Sequence, residues 1–307
     1  MNATMIRNKA WELTHRIPDW VRGREIGLDQ YNTLPEMADY CWFSFQKFLQ
    51  KKKVSLADFT FVEPSAGTGA FFDLLPQKKI GIDVEQFRPE YIQHDFLTWE
   101  PPRKGRFIAI GNPPFGYRGW LALSFMNKIA EFCDYAGFIL PMSFQSDGKG
   151  SPKHRVEGMR LVHSERLPHD IFISPNGETM NINALWQIWE KGMMPPKPDL
   201  SVCDEFVDLF TVDLRKERLC GMKKIQDCNT FIQRTYFGDH PVLVRSFSEV
   251  RYGCGYGIIF KKHQKMIHSI LKNINWNEYS NLAAHNCRHI SMYHIKMALL
   301  DHSHLYA

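Results

Sequence analysis

From Phe59 to Met142 the chain alternates short apolar runs with longer amphipathic ones: "FTFVEP" (59–64), "GAFFDLL" (69–75), "KIGIDV" (79–84), "RFIAIG" (106–111), "WLALSFMNKIAEF" (120–132) and "YAGFILPM" (135–142). That rhythm predicts strand, helix and strand in turn, hence an α/β fold built on a parallel, doubly wound sheet with buried central strands. Ligands of such sheets bind at the carboxyl ends of the strands, so the residues just after each apolar run are the ones to inspect. Upstream, Leu34, Met37, Ala38, Cys41, Phe45 and Phe48 recur at helical spacing behind Pro35, a residue that suits a first helical turn, which predicts a helix through Leu49.

Four strand ends carry polar or glycine-rich chemistry. The first is Glu63-Pro64-Ser65-Ala66-Gly67-Thr68-Gly69-Ala70-Phe71, where two glycines permit a tight turn and close approach of a ligand, ahead of an expected helix N-terminus; a plain structural turn would use the same glycines. The second is Asp83, with Glu85 two residues on, at an offset from Glu63 that suits a grip on ribose hydroxyls or an ordinary solvated turn. The third is His94-Asp95-Phe96, whose carboxylate can accept from an adenine amino group. The fourth is Asn112-Pro113-Pro114-Phe115. Its Asn amide oxygen and the carbonyl of the following proline can both accept from one exocyclic NH2, held convergent by two rigid rings. Phe115 can then lie against the heterocycle that bears the amine, as a wall for a base taken out of its helix, unless it is simply core. Such a device suits alkylation of an aromatic amine.

Composition narrows the setting. The chain has 307 residues, 44% hydrophobic and 23% charged, which fits a folded protein with one large domain and an appendage, or two domains. Its seven cysteines, at 41, 133, 203, 220, 228, 254 and 287, form no CxxC pair, and no quartet has zinc-ligand spacing. With no signal peptide and no apolar run near the about 18 residues of a membrane span, the expectation is a soluble, intracellular, cytoplasmic protein without a metal. A formal net charge of +5 fits a polyanionic partner without proving one.

"EPSAGTGAF", "GIDVE", "HDF" and "NPPFG", in that order, resemble the S-adenosylmethionine-dependent amino-methyltransferases that act on adenine N6. "DQYNTLPEMADYCW" (29–42) is similar to the segment before the cofactor loop in those DNA methyltransferases whose target-recognition region comes last, and "AGFILPMSF" (136–144) and "NINALWQIWEK" (181–191) are similar to late strands of a restriction-modification and phage group within that family. The resemblance, over residues 29 to about 191, implies a Rossmann-like methyltransferase sheet. Carried over, it makes Glu63, Ser65, Gly67 and Gly69 shape the methionine part of an S-adenosylmethionine pocket, with Thr33 at the carboxylate, Asp83 at the ribose, and Asp95 with Phe96 at the adenine. Asn112, Pro113, Pro114 and Phe115 then hold the substrate amine and ring, Asn112 bordering the cofactor as well. Gly111 departs from the pattern, because an acidic or polar residue is frequent before the Asn.

The expected division is a catalytic domain over 1–194 and a target-recognition, DNA-binding region over 195–307. The latter interleaves basic and aromatic residues in "LRKERLCGMKK" (214–224), "FIQRTYFGDH" (231–240), "YGCGYGIIFKKHQK" (252–265) and "HNCRHISMYHIK" (285–296), a texture that suits phosphates and stacked bases as well as it suits a solvated basic face. "GCGYG" reads as a flexible loop, and "PMSFQSDGKGSPKHR" (141–155) as a mobile one that could close over substrate or merely link. The leading function is restriction-modification-type DNA methylation: site-specific adenine-N6 methylation of double-stranded DNA by base flipping. The resemblance allows a cognate restriction endonuclease in the same system, with no direct binding implied. Adenine methylation of structured RNA is the alternative, and an inactive nucleic-acid binder on the same fold is the alternative of another class; protein-glutamine methylation shares an Asn-Pro-Pro tetrapeptide, usually with tyrosine fourth.

Overall fold

The computed structural model describes residues 31–102, 105–116, 119–147, 151–174, 176–214, 222–283 and 286–302. They form two compact units. The first runs up to Ser146 and resumes beyond the loop to reach Pro195, and the second takes in Asp147 and the chain from Pro196.

In the first unit β1 (Asn32–Thr33) precedes α1 (Pro35–Lys51), the expected helix, with Pro35 in its opening turn. There follow β2 (Thr60–Glu63), β3 (Lys79–Asp83), β4 (Ile92–Gln93), β5 (Phe107–Gly111), α2 (Trp120–Ala130), β6 (Cys133–Pro141), β7 (Met159–Arg166), β8 (Phe172–Ile173), β9 (Thr179–Met180) and β10 (Ala184–Lys191). Seven strands make one sheet in the order β4-β3-β2-β5-β6-β10-β7. The first five are parallel, and β10 runs antiparallel between β6 and β7. This is the expected Rossmann-like α/β sheet. Strand order reverses between β2 and β5, so their carboxyl ends flank the crevice where such sheets bind ligands.

All five residues of β5 are buried, as a central parallel strand requires. On one face Ile108 and Ile110 join Phe61, Ile139, Trp186 and Ile188 beneath Ala38, Cys41, Phe45 and Leu49 of α1. Phe45 meets Trp186 edge-on at 6.3 Å, and the Trp186 indole donates to Ser44 Oγ at 3.2 Å. On the other face, Phe107, Phe132, Trp99, Phe96 and Phe125 of α2 pack ring to ring.

The expected helix after the glycine loop is absent: a single 3-10 turn, Phe72–Leu74, stands there. Phe71 and Leu75 pack toward α1, whereas Phe72 is buried against Tyr91 in a separate cluster, and Pro76 follows. Neighbouring apolar side chains pulled into different clusters do not form one helical stripe. A small sheet, β1-β8-β9, also escaped the sequence reading. The described parts of the loop over 141–155 are 3-10 turns, Met142–Gln145 and Pro152–Arg155, and 148–150 lie outside the described residues.

The second unit contains β11 (Val207–Asp213), α3 (Met222–Ile225), β12 (Thr230–Gln233), β13 (Thr235–Tyr236), β14 (Leu243–Val244), β15 (Cys254–Phe260), α4 (Gln264–Asn273), β16 (Asn281–Leu282), β17 (Arg288–His289) and α5 (Met292–His302). Its antiparallel sheets have the orders β11-β15-β12-β14 and β13-β17-β16. "GCGYG" is therefore not a flexible loop but an inner strand: a Cβ on Gly257 would overlap the Phe210 ring, and one on Gly255 the Ile232 carbonyl, so both glycines serve close packing. Most of "LRKERLCGMKK", at 215–221, lies outside the described residues, as does His285. No helix among the described residues is long and apolar enough to cross a membrane.

Buried Phe45 and exposed Phe43 sit on opposite faces of α1. Phe45→Ala should destabilise the protein by about 3–5 kcal/mol. Phe43→Ala should stay within about 0.5 kcal/mol of wild type. Chemical denaturation of both variants checks the assignment of faces.

Candidate functional site

The carboxyl ends of β2, β3 and β5 open onto a cavity of about 400 Å³. Of the expected site residues, Thr33, Glu63, Ser65, Gly67, Asp83, Asp95, Phe96, Asn112 and Pro114 line it. Gly69, Pro113 and Phe115 do not. Pro113 is buried, and the partly buried Phe115 ring meets Phe172 of β8 edge-on at 6.0 Å, which ties the tetrapeptide to the small sheet.

Hydrogen bonds between strand ends shape the cavity wall. Asp83 accepts from two backbone amides, Gly67 N–H through Oδ2 at 2.8 Å and Glu85 N–H through Oδ1 at 3.1 Å, which fixes the glycine loop against β3. Ser65 Oγ donates to the Asn112 carbonyl at 3.0 Å and joins the loops after β2 and β5. Asp95 caps the 3-10 turn Phe96–Thr98 by accepting from Leu97 N–H at 3.0 Å. The Asn112 amide nitrogen donates to the Tyr31 carbonyl at 3.1 Å. A carbonyl only accepts, so this contact identifies the nitrogen and sets the amide's orientation. Asn112 Oδ1 is left buried with no hydrogen-bond partner among the described residues.

Glu63 is 2% exposed, and its Oε2 likewise has no partner among the described residues. Burial, reinforced by the Asp83 carboxylate, holds its carboxyl well above the ordinary range, against an opposing backbone hydrogen bond at Phe72. Gly111 has a structural reason: at φ +150° a Cβ there would stand 3.2 Å from Glu63 Cγ, so the Glu63 stem leaves little room for a side chain at 111.

Four carboxyl groups (Glu63, Asp83, Glu85, Asp95) line the cavity, and no Lys or Arg among the described residues does. That lining suits a cation carrying hydroxyl and amine donors and repels the pyrophosphate of a dinucleotide. Apolar contact comes from Phe96, Leu97, Phe125 and Phe87, the last 43% exposed. Phe87, Leu97 and Tyr31 were not singled out in sequence, though Phe87 follows Asp83 closely enough for its aromatic ring to be a usable signal. Among the described residues no cluster of His, Cys, Asp and Glu could hold a metal, and the six described cysteines are free thiols.

No family model matches the chain, and no curated protein matches it. Among solved structures it is similar to a putative RNA methyltransferase from Pyrococcus horikoshii, at 19% identity and a TM-score of 0.38, covering 61% of this chain and 99% of that one. It is similar to a modification subunit of a putative type I restriction enzyme from Vibrio vulnificus, at 11% identity and a TM-score of 0.38, covering 76% of this chain and 60% of that one. A third similarity is to magnesium protoporphyrin IX methyltransferase from Synechocystis with bound SAM, at 12% identity and a TM-score of 0.36, covering 52% and 79%. At that level of likeness, the fold assignment rests on the strand order and the crevice chemistry above.

A carboxyl whose folded-state pKa is raised contributes stability that is complete below its unfolded value and is lost as pH rises through the folded one. In the ligand-free protein Glu63→Gln should therefore melt near wild type around pH 5 and increasingly above it toward pH 8. Thermal melts across that range check this, and a constant offset would show that Glu63 is not held neutral.

Proposed function

We propose that this chain transfers a methyl group from S-adenosylmethionine to the N6 amino group of adenine in DNA, with the first unit catalytic and the second reading the duplex. The observation that carries this reading is Asn112, whose nitrogen is tied to Tyr31 while its oxygen is left buried at the crevice with no partner among the described residues. Such an oxygen is an acceptor waiting for an N–H donor. Accepting from the adenine amine aims the nitrogen lone pair into the cavity and stabilises the positive charge that grows on nitrogen, so the benefit is larger in the transition state than in the ground state.

The acidic lining fits the cofactor. Glu63 would face its ammonium group beside Thr33, Asp83 its ribose hydroxyls, and Asp95 with Phe96 its adenine. Bound there, S-adenosylmethionine would supply an electrophilic methyl group for the amine, with its thioether sulfur as the leaving group that keeps the electron pair. The amine then sheds a proton to water. Pro113 and Pro114 keep Asn112 from rotating away, and Phe115 would offer its partly exposed edge to the extruded base.

Charge supports the division of labour. After Pro195 the chain has 15 Lys and Arg against 11 Asp and Glu, so most of the net positive charge lies in the second unit. Duplex phosphates are its natural counterpart, and binding should weaken steeply with salt.

Asn112→Ala should lower turnover by at least about 10²-fold with cofactor affinity nearly unchanged, because the lost acceptor matters most as charge develops. Steady-state kinetics beside calorimetric cofactor binding test this. Normal turnover in Asn112→Ala, or a methyl found on cytosine or on a protein side chain, would refute the adenine-N6 reading, while methylation of RNA alone would change the substrate.

A further inference from the structure

We infer that Arg88 is a positioning residue for cofactor binding: from outside the cavity it clamps the glycine loop in the place where the fold ordinarily puts a helix. The inference rests on the reading of the cavity as an S-adenosylmethionine site. The loop from Ala66 to Gly69 is pinned on its inner side by Asp83, through Gly67 N–H, and by the Ile82 carbonyl, which accepts from Ala66 N–H at 3.0 Å. Behind it stands the 3-10 turn Phe72–Leu74, which reaches the loop through Asp73 N–H, a donor to the Gly69 carbonyl at 3.0 Å, but is too short to hold the Thr68 peptide by an extended hydrogen-bond ladder.

Arg88 supplies the outer hold. Its Nη2 donates to the Thr68 carbonyl at 2.6 Å, and the same guanidinium grips Asp73 with both nitrogens, at 2.5 and 2.8 Å. A planar fork can bridge a carbonyl and a carboxylate at once, which a lysine ammonium does less well. Arg88 is in turn held by its neighbours: Gln86 Nε2 donates to the Arg88 carbonyl at 2.5 Å and to the Tyr91 carbonyl at 3.1 Å, and Tyr91 meets Phe72 edge-on at 4.9 Å. Gly69 belongs to this device. With φ at +96°, a Cβ there would overlap the Arg88 guanidinium and stand 2.8 Å from Tyr91 Oη, so this glycine makes room for the clamp and not for the ligand. Thr68 lines the cavity and Arg88 does not, so Arg88 acts through the loop.

Arg88 and Asp73 have side chains 28% and 58% exposed, and an ion pair so open to water adds little to global stability. Loop position and melting temperature can therefore be separated. In the full chain, Arg88→Ala should raise the dissociation constants of S-adenosylmethionine and S-adenosylhomocysteine by about tenfold or more, with a melting temperature near wild type and turnover at saturating cofactor within about threefold. Arg88→Lys should fall between, and added ethylguanidinium should restore affinity to Arg88→Ala but not change wild type. Cofactor affinity in Arg88→Ala within twofold of a wild type that binds normally would overturn the clamp, as would a lost cooperative melt in both Arg88→Ala and Arg88→Lys. Failure of the wild type to bind either compound would instead overturn the cofactor reading itself.

Discussion

The parallel pairing of β2 with both β3 and β5 is the constraint on which the rest depends. Because strand order reverses between β2 and β5, Glu63 and Asn112, nearly fifty residues apart in sequence, emerge on either side of one crevice, and Ser65 can bond the Asn112 carbonyl across it. The aromatic and aliphatic layers on both faces of β5 hold that register. A slip would turn the buried row of β5 toward the wrong layer and separate the two loops.

Upon that frame the site is assembled from polar groups that restrain one another. Asp83 restrains the glycine loop, Asp95 its own turn, and Tyr31 the Asn112 amide. Two of the unsatisfied atoms are instructive: Glu63 Oε2 and Asn112 Oδ1 are buried with no hydrogen-bond partner among the described residues, each costly in a ligand-free fold. Such costs persist where a ligand meets them: an amine donor is the complement of the amide oxygen, and a bound cation favours the ionised form of the Glu63 carboxyl.

Much of this was legible in the sequence because the signals were local. Period and length placed α1, β2, β3, β5 and β6, and polar residues at the ends of β2, β3 and β5, among them Glu63, Asp83 and Asn112, line the cavity. What was not legible depended on long-range packing. Phe71 and Phe72 read as a continuing amphipathic run, yet separate clusters claim them and leave one turn of 3-10 helix. "GCGYG" reads as loop by composition, and only the Phe210 ring and the Ile232 backbone explain glycines inside a strand. Gly69 looked like a contact for the ligand, yet it does not line the cavity, and a Cβ there would meet the Arg88 guanidinium. Phe172, which supports both Tyr31 and Phe115, sits in a two-residue strand with no periodicity to announce it.

The most direct measurement is the identity of the methylated product. The full-length protein would be incubated with duplex DNA and S-adenosylmethionine carrying a labelled methyl group, and the DNA digested to nucleosides and separated. Label in N6-methyladenine, lost when Asn112 is replaced by Ala, is the result that the crevice chemistry predicts. Label in a cytosine derivative, or no label in nucleic acid from a protein that binds the cofactor, would contradict it.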